Sequence, residues 1–231
     1  MGIIRFSDEE VFSTDSQEYD ILQRAVLQCK GVPGAVVEIG TRRGGSAKII
    51  IDTLAMNQDT GRSMFCIDPY GNIEIECTNM NITHHVPGVT IEGDPLSKEI
   101  TKPLRFDYDN GMRNRVIPSL YYYAYNKGLN FSFFCMEDSE FFNRFSDGVP
   151  VYNDFKKYEN TYAFVFFDGP HHNEAVDLET KFFLDRSTLG TVFVADDIWM
   201  YDHERFENMI YAQGFKVLEK GNVKASYVRV S

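Results

Sequence analysis

The sequence predicts an α/β fold: a doubly wound, mostly parallel sheet of seven strands that ends in an antiparallel hairpin. Three observations predict it. Short apolar runs at 35–37, 64–67, 131–135, 164–167 and 190–195 alternate with segments of helical period. The stretch V-V-E-I-G-T-R-R-G-G-S, residues 36–46, joins the first run to a helix through glycines, as a turn around a bound ligand does. Two alternating runs, 215–219 and 225–230, flank Lys220-Gly221-Asn222 and close the chain as a hairpin.

Taken in order, residues 1–17 are polar and irregular and read as an N-terminal arm. From Glu18 to Cys29 the apolar positions Tyr19, Ile21, Leu22, Ala25, Val26 and Cys29 recur at helical spacing. This helix either covers the sheet or lies over the mouth of a ligand site. Ala35-Val36-Val37 follows Pro33-Gly34 as a buried strand, and Ser46 is the expected N-cap of a helix over 47–56. Met64 to Ile67 form the second strand, ending at Asp68. Residues 70–110 are rich in Pro, Gly, Asn and Asp, with one strand-like Val89-Thr90-Ile91, and read as a lid or acceptor-side insertion. His84-His85 inside it point in different directions and are assigned no metal.

Met112 to Lys127 can form a helix despite Pro118, with Leu120-Tyr121-Tyr122-Tyr123 as packing surface. Phe131 to Cys135 form a strand, followed by a helix over 140–145. Phe164 to Phe167 end in Asp168-Gly169-Pro170-His171-His172. A helix over 174–184, a strand over 190–195 ending in Asp196-Asp197, and a helix over about 203–213 precede the hairpin.

A chain of 231 residues suits one domain, and 43% hydrophobic with 25% charged residues is ordinary for a globular one. A net charge of -11 argues against nucleic acid or an anionic membrane surface as partner. Cys29, Cys66, Cys77 and Cys135 lack metal or disulfide spacing and read as reduced thiols. With no apparent targeting or membrane segment, a cytoplasmic location is expected. The sequence leaves the oligomeric state open, a homo-oligomer included.

The glycine loop separates two classes of ligand. A pyrophosphate would be repelled by Glu38, two residues before Gly40, and the dinucleotide fingerprint wants glycine where this chain has Arg42. Glu38 suits a cation, or else caps the next helix. Asp68, 28 residues after Gly40, is placed to accept two ribose hydroxyls; its plainer reading is a turn before Pro69. The pattern E-x-G-x-x-x-G-x-S, Glu38 to Ser46, resembles the first motif of class I S-adenosylmethionine-dependent methyltransferases of the catechol and caffeoyl-CoA O-methyltransferase type. That resemblance implies a Rossmann-like methyltransferase fold and a cofactor held by Glu38, Gly40, Arg42, Gly44, Ser46 and Asp68. It also brings Glu137 or Asp138 to the adenine edge, where Asp138 or Ser139 suits the N-cap of the helix over 140–145 equally well, and Asp168 to the cofactor's rim.

Ligands bind beyond the carboxyl ends of such strands, so Glu38, Asp68, Glu137, Asp168, Asp196 and Asp197 gather on one rim. So many acids invite cations, and a divalent ion on Asp168, Asp196 and Asp197 is one account; an acid pair capping the last helix is the other. D-G-x-H-H followed by V-x-D-D is similar to the methyltransferase family 24 group, with its cephalosporin hydroxylase-like and macrolide sugar O-methyltransferase relatives. In related metal-dependent enzymes these acids hold magnesium, which implies the same for Asp168, Asp196 and Asp197. Catechol-type relatives carry Asn for the second acid of the pair and Lys three residues after the first Asp. This chain has Asp197 and His171 there, so His171 becomes the first expected base, ahead of His172 and Lys181.

The implied activity is methyl transfer from S-adenosylmethionine to a hydroxyl of a small phenolic or sugar-like molecule, with magnesium. The alternatives are an NAD-dependent oxidoreductase on a similar sheet and a non-catalytic binding protein that keeps the fold.

Overall fold

The computed structural model describes all residues except 1–2, 6–10, 15, 71–72, 78–103, 109 and 154, and at 3–5, 73–77 and 104–108 it describes the backbone alone. In chain order the elements are β1 (Ile3–Arg5), α1 (Tyr19–Gln28), β2 (Ala35–Ile39), α2 (Gly45–Met56), β3 (Ser63–Ile67), β4 (Ile73–Cys77) and β5 (Leu104–Tyr108). There follow α3 (Asn110–Asn126), β6 (Asn130–Phe134), α4 (Asp138–Arg144), β7 (Val149–Tyr152), β8 (Lys156–Glu159), β9 (Tyr162–Phe167) and α5 (Asn173–Leu184). The chain ends with β10 (Ser187–Ala195), α6 (His203–Tyr211), β11 (Phe215–Lys220) and β12 (Ala225–Arg229).

Seven strands form the central sheet in the order β11-β12-β10-β9-β2-β3-β6, and only β12 runs against its neighbours. The expected doubly wound sheet and terminal hairpin are both present. Alternation along each strand splits the apolar side chains between two faces. Val36, Met64, Phe164, Phe166, Val192 and Val194 pack with Leu22, Val26, Ile50, Leu54 and Leu120 of α1, α2 and α3. Val37, Phe65, Val165, Phe167 and Phe193 pack on the other side with Phe141, Phe183, Phe206 and Ile210 of α4, α5 and α6. Burial of both faces explains why β2, β3 and β9 read as unbroken apolar runs.

Three local expectations change. Two strands lie in the stretch read as an insertion: β4 pairs antiparallel with β5, and β5 pairs parallel with Ile3–Arg5 of the supposedly irregular arm. Val89 to Ile91, His84 and His85 lie outside the described residues. The helix expected at 140 begins at Asp138. The helix after the glycine loop begins at Gly45, and its N-cap is Gly44 rather than Ser46, because Gly44 takes the left-handed φ of 80° that an L side chain resists. Between α4 and β9, β7 and β8 form an antiparallel hairpin of their own. On α3, Leu120 is buried as expected of a packing surface, but Tyr121 and Tyr122 are exposed; the Tyr121 hydroxyl accepts the Phe133 N–H at 3.0 Å on edge strand β6.

Candidate cofactor and acid-cluster site

The glycine loop is fixed by close contact with the strand beside it. Gly40 has φ +81°, and a Cβ there would stand 1.8 Å from the Asp168 carbonyl oxygen. Only glycine lets β2 turn this close to the end of β9. The loop then crosses to β3: the Arg42 N–H donates to Asp68 Oδ2 at 2.8 Å, and the Tyr70 hydroxyl donates to the Arg42 carbonyl. The N-terminal arm lies on its far side, where a Cβ on Gly45 would come 2.5 Å from the Ser13 carbonyl oxygen and the Phe12 N–H donates to the Arg43 carbonyl.

Two carboxylates are held beneath this loop. Glu38 is wholly buried at the centre of the sheet; its Oε2 accepts the Cys66 thiol at 3.3 Å, while Oε1 makes no hydrogen bond, although the Ser46 and Thr41 hydroxyls lie near the carboxylate. Asp68 is also buried, with Oδ1 unpartnered. Burial pushes Glu38 up to about 7 against the pull of the Ser46 hydroxyl and Cys66 thiol. Burial likewise raises Asp68 to about 7; the Arg42 amide opposes the shift and the nearby Glu38 adds to it. Ser46, displaced from the cap, sits in the first turn of α2 next to Glu38. A buried acceptor oxygen without a donor is costly, and two of them beside one glycine loop fit a ligand that brings O–H and N–H donors and positive charge.

Glu137 is the N-cap of α4, and its N–H donates to Glu140 at 3.4 Å. Asp138 accepts the Ser139 N–H at 2.6 Å, and its Oδ2 is buried without a hydrogen-bond partner. Sequence reasoning missed its neighbour Glu179, an acid on the inner face of α5, which burial and the nearby Asp138 carboxyl push well above the ordinary carboxylate range. Only the period of α5 could have signalled it, since Glu179 falls in line with Val176 and Phe183.

The acids at the ends of β9 and β10 divide into two groups. His171 Nε2 stands 3.5 Å from Asp197 Oδ2 and 3.9 Å from Asp168 Oδ1, and its ring stacks at 5° on Tyr201, 6.3 Å away. His172 faces the other way as the N-cap of α5, accepting the Ala175 N–H at 3.3 Å, and Lys181 is exposed in the last turn of that helix. Burial raises Asp168 well above the ordinary range, reinforced by Asp196 and opposed by Lys224; burial also raises Asp197, with His171 opposing.

Asp196 has a different partner, which sequence reasoning also missed. Its Oδ1 accepts Lys224 Nζ at 2.7 Å, the Ser16 hydroxyl at 3.1 Å and the Asp197 N–H at 2.8 Å. Lys224 and Asp196 are both fully buried. This arrangement does not fit the three-acid magnesium site expected from the sequence. One acid is taken by an ammonium and the other two flank an imidazole, and with those partners in place no three His, Cys, Asp or Glu side chains among the described residues are set to share an ion. Nor do Asp196 and Asp197 cap the last helix, whose N-cap is Asp202.

No protein-family model matches the chain, and no curated protein matches it in sequence. Solved structures do match in shape. The methyltransferase CalS11 of calicheamicin is 14% identical with a TM-score of 0.56, covering 91% of this chain and 76% of its own. An O-methyltransferase from Bacillus cereus in complex with SAH is 13% identical with a TM-score of 0.55, covering 95% and 84%. The O-methyltransferase NovP is 15% identical with a TM-score of 0.53, covering 91% and 81%. Together with the strand order, these likenesses establish that the chain has the Rossmann-like methyltransferase fold.

Proposed function

We propose that the protein is an S-adenosylmethionine-dependent O-methyltransferase acting on a hydroxyl of a small molecule. The observation that carries this reading is the pair of buried, unpartnered oxygens, Glu38 Oε1 and Asp68 Oδ1, at a glycine loop of a methyltransferase-type sheet. On this reading Asp68 accepts ribose hydroxyls, and Glu38 favours a cationic ligand over a pyrophosphate. Bound there, S-adenosylmethionine supplies a methyl group on a positively charged sulfur.

The chain's own residues supply orientation and proton removal. Asp168 and Asp197 flank His171 Nε2, which on this reading takes the proton of an acceptor hydroxyl. The stacked Tyr201 ring limits how His171 can turn. Phe12, Ser13 and Thr14 of the arm lie against the glycine loop. The acceptor as a phenol or a sugar-like molecule remains part of the proposal, as does a cytoplasmic setting; among the described residues no helix is long and apolar enough to cross a membrane.

Calorimetry with adenosylhomocysteine and with NAD tests the cofactor. The reading expects the first to bind and the second not, and the reverse result favours the oxidoreductase. Transfer of a labelled methyl group to a panel of catechols, phenols and glycosides tests the reaction; cofactor binding with no labelled product across the panel favours a non-catalytic binding protein.

A further inference from the structure

We propose that Lys224 is the resident cation of the acid cluster, occupying by its ammonium the electrostatic role that a divalent ion would otherwise fill, so that the site neither takes up nor requires such an ion. The part of this inference that concerns the reaction rests on the methyltransferase reading; the part that concerns ion binding does not.

A lysine ammonium has three N–H donors. Lys224 Nζ is 2.7 Å from Asp196 Oδ1 and 2.7 Å from Ser16 Oγ, and it lies 4.5 Å from the centre of the Tyr19 ring. The Phe166 ring stands 5.7 Å away and completes an apolar wall. The ammonium therefore has a carboxylate, a hydroxyl and an aromatic face around it in a buried site, an arrangement that compensates its loss of water. Its backbone is fixed as well, since the Glu18 carboxylate accepts the N–H groups of Asn222, Val223 and Lys224, each at 2.9 Å. Ser16 and Glu18 thus hold the two ends of the same lysine.

Magnesium asks for close to six oxygen ligands in an octahedron and gives up its waters reluctantly. At this cluster Asp196 Oδ1 already accepts three donors, and His171 stands between Asp168 and Asp197. The remaining oxygen, Asp196 Oδ2, is buried without a partner. An ion entering there would face a fixed ammonium across one carboxylate in surroundings that screen little. Removing the ammonium should free that carboxylate and leave three acids with no cation between them.

The test uses the full chain and manganese as the probe, read by the paramagnetic resonance signal of the free ion. Wild type is expected to bind no stoichiometric manganese at concentrations up to about 1 mM, whereas sites built for divalent ions bind well below that. Lys224→Met is expected to gain one bound ion per chain, and Lys224→Met with Asp196→Asn to lose it again. One equivalent bound by wild type would overturn the proposal, and so would a folded Lys224→Met chain that binds no more than wild type. If the single variant fails to fold, the wild-type titration decides alone. Where methyl transfer is measurable, chelator should change its rate by less than about twofold, and loss of turnover restored by added magnesium would overturn the claim for the reaction. Failure to detect methyl transfer at all would count against the proposed function and leave the manganese result to judge Lys224.

Discussion

The Glu18 carboxylate accepts the Lys224 backbone N–H at 2.9 Å, joining residues 206 positions apart. The same carboxylate takes the N–H groups of Asn222 and Val223, so three amides of the β11–β12 turn end on one side chain. Burial raises the Glu18 carboxyl, but these amides outweigh it and hold it below the ordinary carboxylate range. Its contribution is therefore present above the ordinary value of 4.5 and is lost as pH falls through the lowered one. Glu18→Ala should cost about 1.5–3 kcal/mol, the scale for hydrogen bonds to a charged group, and raise hydrogen exchange at Asn222 to Lys224. Chemical denaturation and exchange measure the two effects; unchanged protection of those amides would show that the turn holds itself.

The same fixed carboxylate makes Gly221 a sensitive position, since a Cβ there would stand 2.1 Å from Glu18 Oε2. Gly40 is more constrained, because the obstacle is backbone: the Asp168 carbonyl oxygen at 1.8 Å, combined with φ +81°. Gly40→Ala should destabilise the chain by about 3 kcal/mol or more, from left-handed strain plus overpacking. Gly61→Ala, where a Cβ meets nothing within 4 Å, is the control and should lie within about 0.5 kcal/mol of wild type. Similar melting curves for the two variants would refute this account of the loop.

The sheet was legible because its strands are buried on both faces: runs such as Phe164 to Phe167 and Val192 to Ala195 leave few other readings. The glycine loop was legible because Gly40 and Gly44 need φ values that few residues tolerate. Lys224 was not. Its neighbours Val223 and Ala225 place it at the mouth of a strand, where most lysines reach solvent, and its burial depends on Asp196, Ser16 and Tyr19, which are remote in sequence. Ser46 is not the cap for a related reason: N-cap preference favours serine at a helix start, yet the turn demanded by Arg42 and Asp68 puts Gly44 there instead.

His171→Ala should retain fold and cofactor affinity while lowering methyl transfer by roughly 10²–10⁴-fold, the usual contribution of a positioned general base. His171 contacts the two acids through Nε2 and stacks on Tyr201, so its loss removes a proton acceptor without opening the sheet. Added imidazole should restore part of the rate. Single-turnover kinetics at saturating cofactor measure the effect, and a rate within a factor of about two of wild type would assign proton removal elsewhere.

Cofactor affinity should depend on pH through Glu38 and Asp68. Burial pushes both carboxyls up to about 7, from ordinary values of 4.5 and 3.8. The folded, ligand-free chain therefore holds these protons more tightly than the unfolded chain. Their stabilising contribution is complete below the ordinary values and is lost as pH rises through about 7, so ligand-free stability should fall across that window. S-adenosylmethionine reverses the preference, since ribose hydroxyl donors and a positive sulfur favour the ionised carboxylates. Its affinity should rise from acid pH to about 7 and then level off, with protons released on binding below that point. Glu38→Gln and Asp68→Asn should each weaken binding at high pH by at least about tenfold and flatten part of the pH dependence. Calorimetry in buffers of different ionisation enthalpy reads affinity and proton release together. An affinity constant between about pH 5.5 and 8.5, in a chain that stays folded, would mean that neither carboxylate meets the cofactor in its charged form.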